Sequence, residues 1–423
     1  MKRRVCLSLS LSFFSILICL AQEFPTYGTV TSGEINLKQC AFDKDADAVV
    51  LLHEAYADHD EQYRLITTHH VKIKILSEKG FSFADVLIPF YRKDNFEQID
   101  KVEGMTINVG ENNQVEKIRL ERKSIFTQNE NERIGKVVFT FPAIKVGSII
   151  DYQFRSTMKH YGGLDDWAFQ KKIPVITSKF KLVILPNTEF AYRVNNVSDL
   201  PLKIKKEAST GAVNFEMENI PALEDEPYMD ARSDYLHRVI FQLSGYNMGN
   251  GNSKKYMTSW EEVTKELLTS LEFGVQIQRN IPSANDFIKQ TNALESEEEK
   301  MMAVLDFVRS NMTWNGLYSK YSQGGVKDTW QKKSGNNGEI NLLLVNLLRE
   351  ASLKSYPILV SERSHGKVNI SYPFIDQFSS VLACVFIGNK KFYLDATDKS
   401  FPAHLIPLNI LNTTAFIVDR KAG

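Results

Sequence analysis

From Glu339 to Ala351 the chain would present apolar residues to nearly every side of a helix: Ile340, Leu342, Leu343, Leu344, Val345, Leu347 and Leu348. A helix that is apolar all round has to be buried, so this segment predicts a central helix wrapped by other elements. Strand-like runs follow at Tyr356–Ser361, Ser380–Ile387 and Lys391–Leu394, the last two joined by a Gly388-Asn389 turn that predicts a hairpin. Upstream, Met301, Val304, Leu305 and Val308 share one helical face, and Glu297, Glu298 and Glu299 suit the positive end of that helix's dipole.

The residues from about 48 to 215 obey a different period. Tyr63, Leu65, Val71, Ile73 and Ile75 take one parity and Arg64, Lys72 and Lys74 the other, the alternation of a half-buried strand. Further short runs at Gly135–Phe141, Ser148–Phe154 and Phe180–Leu185 end at Pro142, Gly147 or Pro186-Asn187. The expectation is an α+β protein whose first domain, 45–220, is an antiparallel, sandwich-like β structure. An acidic stretch, Pro221-Ala-Leu-Glu-Asp-Glu-Pro227, opens a linker read as 221–254, and 255–423 forms the second domain. A length of 423 residues accommodates two such units.

Lys2, Arg3 and Arg4 followed by the uncharged, mostly apolar run Val5–Ala21 read as a signal peptide, residues 1–21, leaving 22–44 as a leader segment. The mature chain is then exported, periplasmic or associated with the cell envelope, with no membrane span. The 51 basic and 51 acidic side chains become a net −3 once those three cations leave, which gives no footprint for nucleic acid. Of four cysteines, Cys40 and Cys384 remain, too few and too far apart for a redox or metal motif, and no metal or cofactor is expected.

A Gly-rich loop opening a buried helix, followed by strands of which one ends in Asp, is one way to build a cysteine nucleophile site: helix terminus for the thiol, strand His as base, Asp to orient it. Here the loop is Ser334-Gly-Asn-Asn-Gly-Glu-Ile-Asn341 and the strand end is Leu394-Asp-Ala-Thr-Asp398. With Phe141-Pro-Ala-Ile-Lys-Val-Gly-Ser-Ile-Ile-Asp151, Ile173-Pro-Val, Ile220-Pro-Ala and Ile340-Asn-Leu-Leu-Leu, these strings resemble the transglutaminase-like superfamily, in its bacterial exported form with a β-rich domain of unknown function ahead of the catalytic one.

That resemblance, spanning about 45–423, implies a papain/transglutaminase-like second domain and a Cys-His-Asp triad. The family loop reads Gly-x-Cys-x-Asp/Glu, and between Gly335 and Glu339 the Cys position holds Asn337. Counting back from Asp395 places Ser380 where the His belongs, so only the orienting Asp395 is retained and all three positions are read as vestigial. With a two-residue turn, Leu382 faces Asp395 and Ser380 lies diagonally beside it. Asp395-Ala-Thr-Asp398 is equally well read as turn chemistry closing a strand. The resemblance also implies a further β-rich segment, so the chain reads as a short or truncated variant.

The expected function is a pseudoenzyme that binds a peptide or glycan, or acts as a scaffold, with Trp314, Tyr318 and Trp330 as ligand-binding aromatics; plain core packing is the competing reading of that cluster. The alternative is an active amidase, peptidase or acyl transferase with a base from His365 or His404. Cys384 reads as core, Ser156-Thr-Met-Lys159 as a chance match to a penicillin-binding pattern, and the adjacent His69 and His70 as facing opposite sides of a strand rather than sharing a metal.

Overall fold

The computed structural model describes residues 26–419 except 111–113, 132, 248–252, 256–258, 404 and 412. The signal-peptide segment and His404 lie outside the described residues. The protein is α+β, strand-rich through about residue 255 and mixed beyond it.

An eight-stranded sheet dominates the first half, in the order Lys203–Glu207, Ala212–Ile220, Val175–Val183, Ala48–His59, Leu65–Ile75, Ile149–Met158, Glu97–Val109 and Val115–Arg119. The strand pattern led to the expectation of an antiparallel sheet, but this one is mixed, because Ala48–His59 pairs in parallel with Val175–Val183. The long excursion between those two strands supplies the connection that a parallel pair requires. Two smaller sheets, built on Ile134–Thr140 and on Arg238–Asn247, share a hydrophobic core with it through Ile88, Val137, Phe139, Trp167 and Val239. The strand Arg238–Asn247 lies inside the stretch read as a linker, where it pairs with Thr188–Asn195. Its apolar residues are interrupted by polar ones, and only a partner brought from elsewhere in the chain makes it a strand.

The alternation around Leu65–Ile75 holds at its start and fails at its end, where every residue from His70 to Ile75 is buried. The cause is the leader. Tyr27, Val30, Leu37, Cys40 and Phe42 pack over the second face of the sheet, against Val49, Leu51, Met105, Ile107 and Ile149. Lys72 and Lys74, which the sequence places toward water, are only 2 % exposed. Their ammonium groups survive burial by donating to carbonyls: Lys72 Nζ to Thr29 O (2.7 Å), Lys74 Nζ to Ile35 O (2.9 Å) and Gly147 O (2.7 Å). His69 and His70 do point oppositely. His69 stacks on Phe154 at 4.4 Å between ring centres and desolvation pushes its pKa down to about 3. His70 sits between Glu54 (2.9 Å) and Asp151 (2.7 Å), whose carboxylates outweigh its burial and raise its pKa.

In the second half the central helix spans Asn337–Glu350, and all of its residues from Asn337 to Leu348 are buried. It packs against a four-stranded antiparallel sheet ordered Lys390–Leu394, Ser380–Ile387, Lys354–Val360, Phe416–Ile417, and against the helix Glu297–Asn311. That second helix buries Met301, Val304, Leu305 and Val308 and opens with a Ser296–Glu299 capping box. The hairpin register, Ile387 opposite Lys390 and Cys384 opposite Tyr393, is the one that a Gly388-Asn389 turn dictates. Gly388 supplies the left-handed backbone there, with φ of +55°. No helix among the described residues is long and apolar enough to cross a membrane.

Candidate functional site

The N-terminus of the central helix is held by its own sequence. Asn336 caps it, its Oδ1 accepting from Glu339 N (2.8 Å), while Glu339 Oε2 accepts from Asn336 N (2.8 Å). The other Glu339 oxygen accepts from Gln323 N (2.9 Å) and Gly324 N (2.8 Å), so this acidic residue fastens the preceding loop to the helix. Gly338 has no room for a side chain: a Cβ there would lie 2.6 Å from the carbonyl oxygen of Ser319. The loop carrying Leu317–Tyr321 therefore lies directly over the helix end, where Asn337 N donates to Leu317 O at 3.0 Å.

Asn337 and Ser380, predicted as partners, touch. Ser380 Oγ donates to Asn337 Oδ1 at 2.7 Å and Val381 N to the same oxygen at 3.0 Å. They are 1 % and 3 % exposed, so the pair is sealed from solvent. Asp395 does not reach them directly. The strand ends at Leu394, and Asp395 Oδ1 closes a turn by accepting from Thr397 N (2.9 Å) and Thr397 Oγ1 (2.7 Å). The same oxygen accepts from Asn341 Nδ2 at 2.9 Å. Asn341, one helical turn beyond Asn337, also donates to Val381 O (2.9 Å) and accepts from Ala396 N (2.9 Å). It is the residue that ties helix and hairpin together, and the sequence reading missed it because a polar residue in an apolar helix carries no mark of its partner. Arg309 adds a second tie, donating from Nη2 to the Asp395 carbonyl at 2.7 Å.

Beside this sealed pair an open groove of about 460 Å³ is lined by Tyr318, Tyr321, Glu362, His365, Phe378 and Ser379, among others. Glu362 is 5 % exposed, and burial pushes its carboxyl up to about 7, with Asp395 adding to the effect against hydrogen bonds that work the other way. Its Oε1 accepts from Asn409 Nδ2 at 3.0 Å, and Tyr318 is a further hydrogen-bond partner. Glu362 follows the strand Lys354–Val360, and only the return of the chain at Asn409 encloses it, so no local signal marked it.

The aromatic cluster divides. Tyr318 lines the groove, and Trp314 backs it without lining it, leaning on Tyr318 (4.9 Å between ring centres) and donating from Nε1 to Leu317 O (3.0 Å). Trp330 lies apart from the groove lining, packed toward Phe307 at 5.8 Å with Lys333 Nζ 4.0 Å from its ring centre. His365 is on the groove, with Nε2 2.8 Å from Asp376 O, and makes no bond to Asn337 or Ser380. Cys384 is fully buried among Ile358, Val360, Leu382 and Ile410, and desolvation lifts its thiol to about 11. Ser156 lies mid-strand with Oγ donating to Glu97 Oε1 at 2.7 Å.

Comparison with known proteins bears on the fold. Residues 61–224 match the family model of DUF3857, a domain of unknown function for which a structure has been solved. A solved structure from Parabacteroides distasonis, described as a "putative protease", superposes with a TM-score of 0.62 at 14% identity, over 83% of this chain and 67% of its own. The chain thus shares its fold with that protein. A "putative cysteine protease" from Cytophaga hutchinsonii (TM-score 0.24, 14% identity, 60% of this chain and 78% of its own) overlaps too little to add to this. The same holds for a "TGase" (TM-score 0.21, 10% identity, 55% and 54%). No curated protein sequence matches.

Proposed function

We propose that this chain is an exported, noncatalytic relative of the transglutaminase-like and cysteine-protease-like enzymes, with a sandwich-like first domain and a second domain that binds a peptide or glycan segment of the cell envelope in the Tyr318–Glu362 groove. The observation that carries the proposal is the Asn337–Ser380 pair. The side chains at the nucleophile and base positions are an amide and a hydroxyl, bonded to each other at 2.7 Å and sealed in the core. An amide oxygen accepting two hydrogen bonds does not attack a carbonyl, and a serine hydroxyl donating to it takes up no proton near neutral pH. Loss of both members of such a pair costs on the order of 10⁶ in turnover. The groove retains what a binding surface needs, an aromatic face at Tyr318 and polar groups at Glu362 and Ser379. The N-terminal charge pattern supports export, and the shared fold of the Parabacteroides protein supports the scaffold class.

A second reading rests on Glu362. A carboxyl with a pKa of about 7 on an open groove has the proton affinity of a general acid or base. No nucleophile stands in the position the resemblance expects, so the binding reading is preferred. The test is turnover of peptide amides. The natural chain should show none. Cleavage by the natural chain that is lost in Glu362→Gln would overturn the proposal in favour of a carboxyl-based enzyme.

A further inference from the structure

A cavity of about 330 Å³ lies within the first half, with Leu65, Val71, Phe154, Trp167 and Phe180 as its apolar wall. Lys171 lines it as well. The backbone there is fixed, Lys171 O accepting from Leu223 N at 2.9 Å. The half-buried side chain lays its ammonium 6.0 Å from the ring centre of Trp167 and, among the described residues, makes neither hydrogen bond nor ion pair. The charged side chain that acts on it is another cation, Arg232. Asp225, which could have served as counter-ion, is already shared by Lys172 (2.6 Å) and Arg232 (2.8 Å). Two imidazoles complete this end of the cavity. His53 pairs with Val71 and Ala55 with His69, which makes His53 and His69 diagonal neighbours on one sheet face. Both rings stack on Trp167, at 4.1 and 6.3 Å between centres, and burial, with the charge of Lys171 adding to it, keeps both neutral.

We propose that Lys171 is a carbonyl-capture site, where the amine forms a reversible imine with an uncharged aldehyde or ketone whose apolar body fills the aromatic cavity. The site is separate from the Tyr318–Glu362 groove and does not depend on the reading of that groove. Three features choose this chemistry. A lysine held in an apolar site beside another cation is driven toward its neutral, nucleophilic form. Burial, and then the charge of Arg232, bring Lys171 down to about 8, and no carboxylate acts in the opposite sense. The acids of the cavity cluster elsewhere: Glu97 accepts from Ser156 Oγ (2.7 Å) and Tyr91 N (2.8 Å), Asp166 pairs with Arg238 (2.7 Å), and Asp165 is lifted to about 6 by burial and then by those two carboxylates. Their charge disfavours an anionic ligand. The aromatic wall, finally, suits a flat apolar group. In the reaction Nζ bonds to the carbonyl carbon as the C=O π pair moves to oxygen, and the oxygen takes one proton from the nitrogen. The hydroxyl then leaves as water with the second nitrogen-bound proton while the nitrogen lone pair closes C=N. One amine and one carbonyl give one imine and one water, and nothing is oxidised or reduced.

The test is reductive trapping on the full chain. The protein is incubated with 2-naphthaldehyde and sodium cyanoborohydride, which supplies the hydride that locks an imine as a secondary amine, and the product is read by intact mass and peptide mapping. Near neutral pH a naphthylmethyl group should appear on Lys171 about tenfold or more faster than on exposed lysines such as Lys123, because far more of the Lys171 amine is neutral there. Lys171→Arg, which keeps the charge and forms no imine, should lose the fast adduct with the thermal midpoint in place. 2-Naphthylmethanol, with the same body and no carbonyl, should slow labelling of Lys171 in the natural chain and leave Lys123 unaffected, a measurement that needs no variant to fold. 6-Formyl-2-naphthoate should label Lys171 more slowly than 2-naphthaldehyde. Labelling of Lys171 at the rate of Lys123, or a fast adduct that survives Lys171→Arg, would overturn the proposal. Indifference to 2-naphthylmethanol would overturn the role of the cavity, and an anionic aldehyde reacting as fast as the neutral one would overturn the choice of an uncharged ligand.

Discussion

Glu362→Gln isolates the one groove carboxyl whose proton affinity the fold has moved into the neutral range. In the folded chain burial lifts Glu362 from 4.5 to about 7, while in the unfolded chain it returns to the lower value. Between those limits the folded state holds a proton that the unfolded state has released. Stability therefore falls as pH rises from about 4.5 through 7, and the full loss is present above the folded pKa. At 1.36 kcal/mol per unit, a shift of this size is on the order of 3 kcal/mol. The glutamine variant fills the same space, keeps an oxygen for Asn409 Nδ2 and does not titrate. Urea unfolding of both proteins at pH 4.5 and pH 8 should show the variant gaining on the natural chain by about that amount at the higher pH. Parallel pH profiles would refute the reasoning, because they would mean that Glu362 ionises alike in both states, through water entering the groove or hydrogen bonds that offset its burial.

Two other predictions concern how the core is held. Asn341→Ala removes three hydrogen bonds at a fully buried position and leaves Val381 O and Ala396 N without that partner, so it should lower unfolding free energy by about 3 kcal/mol or more in denaturant titration. Cys40 and Cys384 are unpaired and buried, so a chain processed after Ala21 should show two thiols that react with an aromatic disulfide reagent in denaturant and none promptly in the native state. Prompt labelling of a native thiol would contradict the packing of the core that holds it.

What the sequence determined by itself was local and periodic. The all-apolar run fixed a buried helix and the Gly388-Asn389 turn fixed the hairpin register, whereas the resemblance, not the register, singled out Asn337 and Ser380. The helix and the register follow from backbone geometry, which repeats over a few residues and so can be read along the chain. The tertiary structure decided everything that depends on what covers a face. Lys72 and Lys74 alternate as solvent-facing residues should, yet they are buried because a leader from far upstream lies over them and offers its carbonyls. Trp330 sits near Trp314 and Tyr318 in sequence but packs away from the groove. Glu362 became a near-neutral carboxyl through burial, against hydrogen bonds such as that from Asn409 that work the other way. Desolvation and charge compensation are set by neighbours in space that lie dozens of residues away in the chain, and no pattern within one segment encodes them.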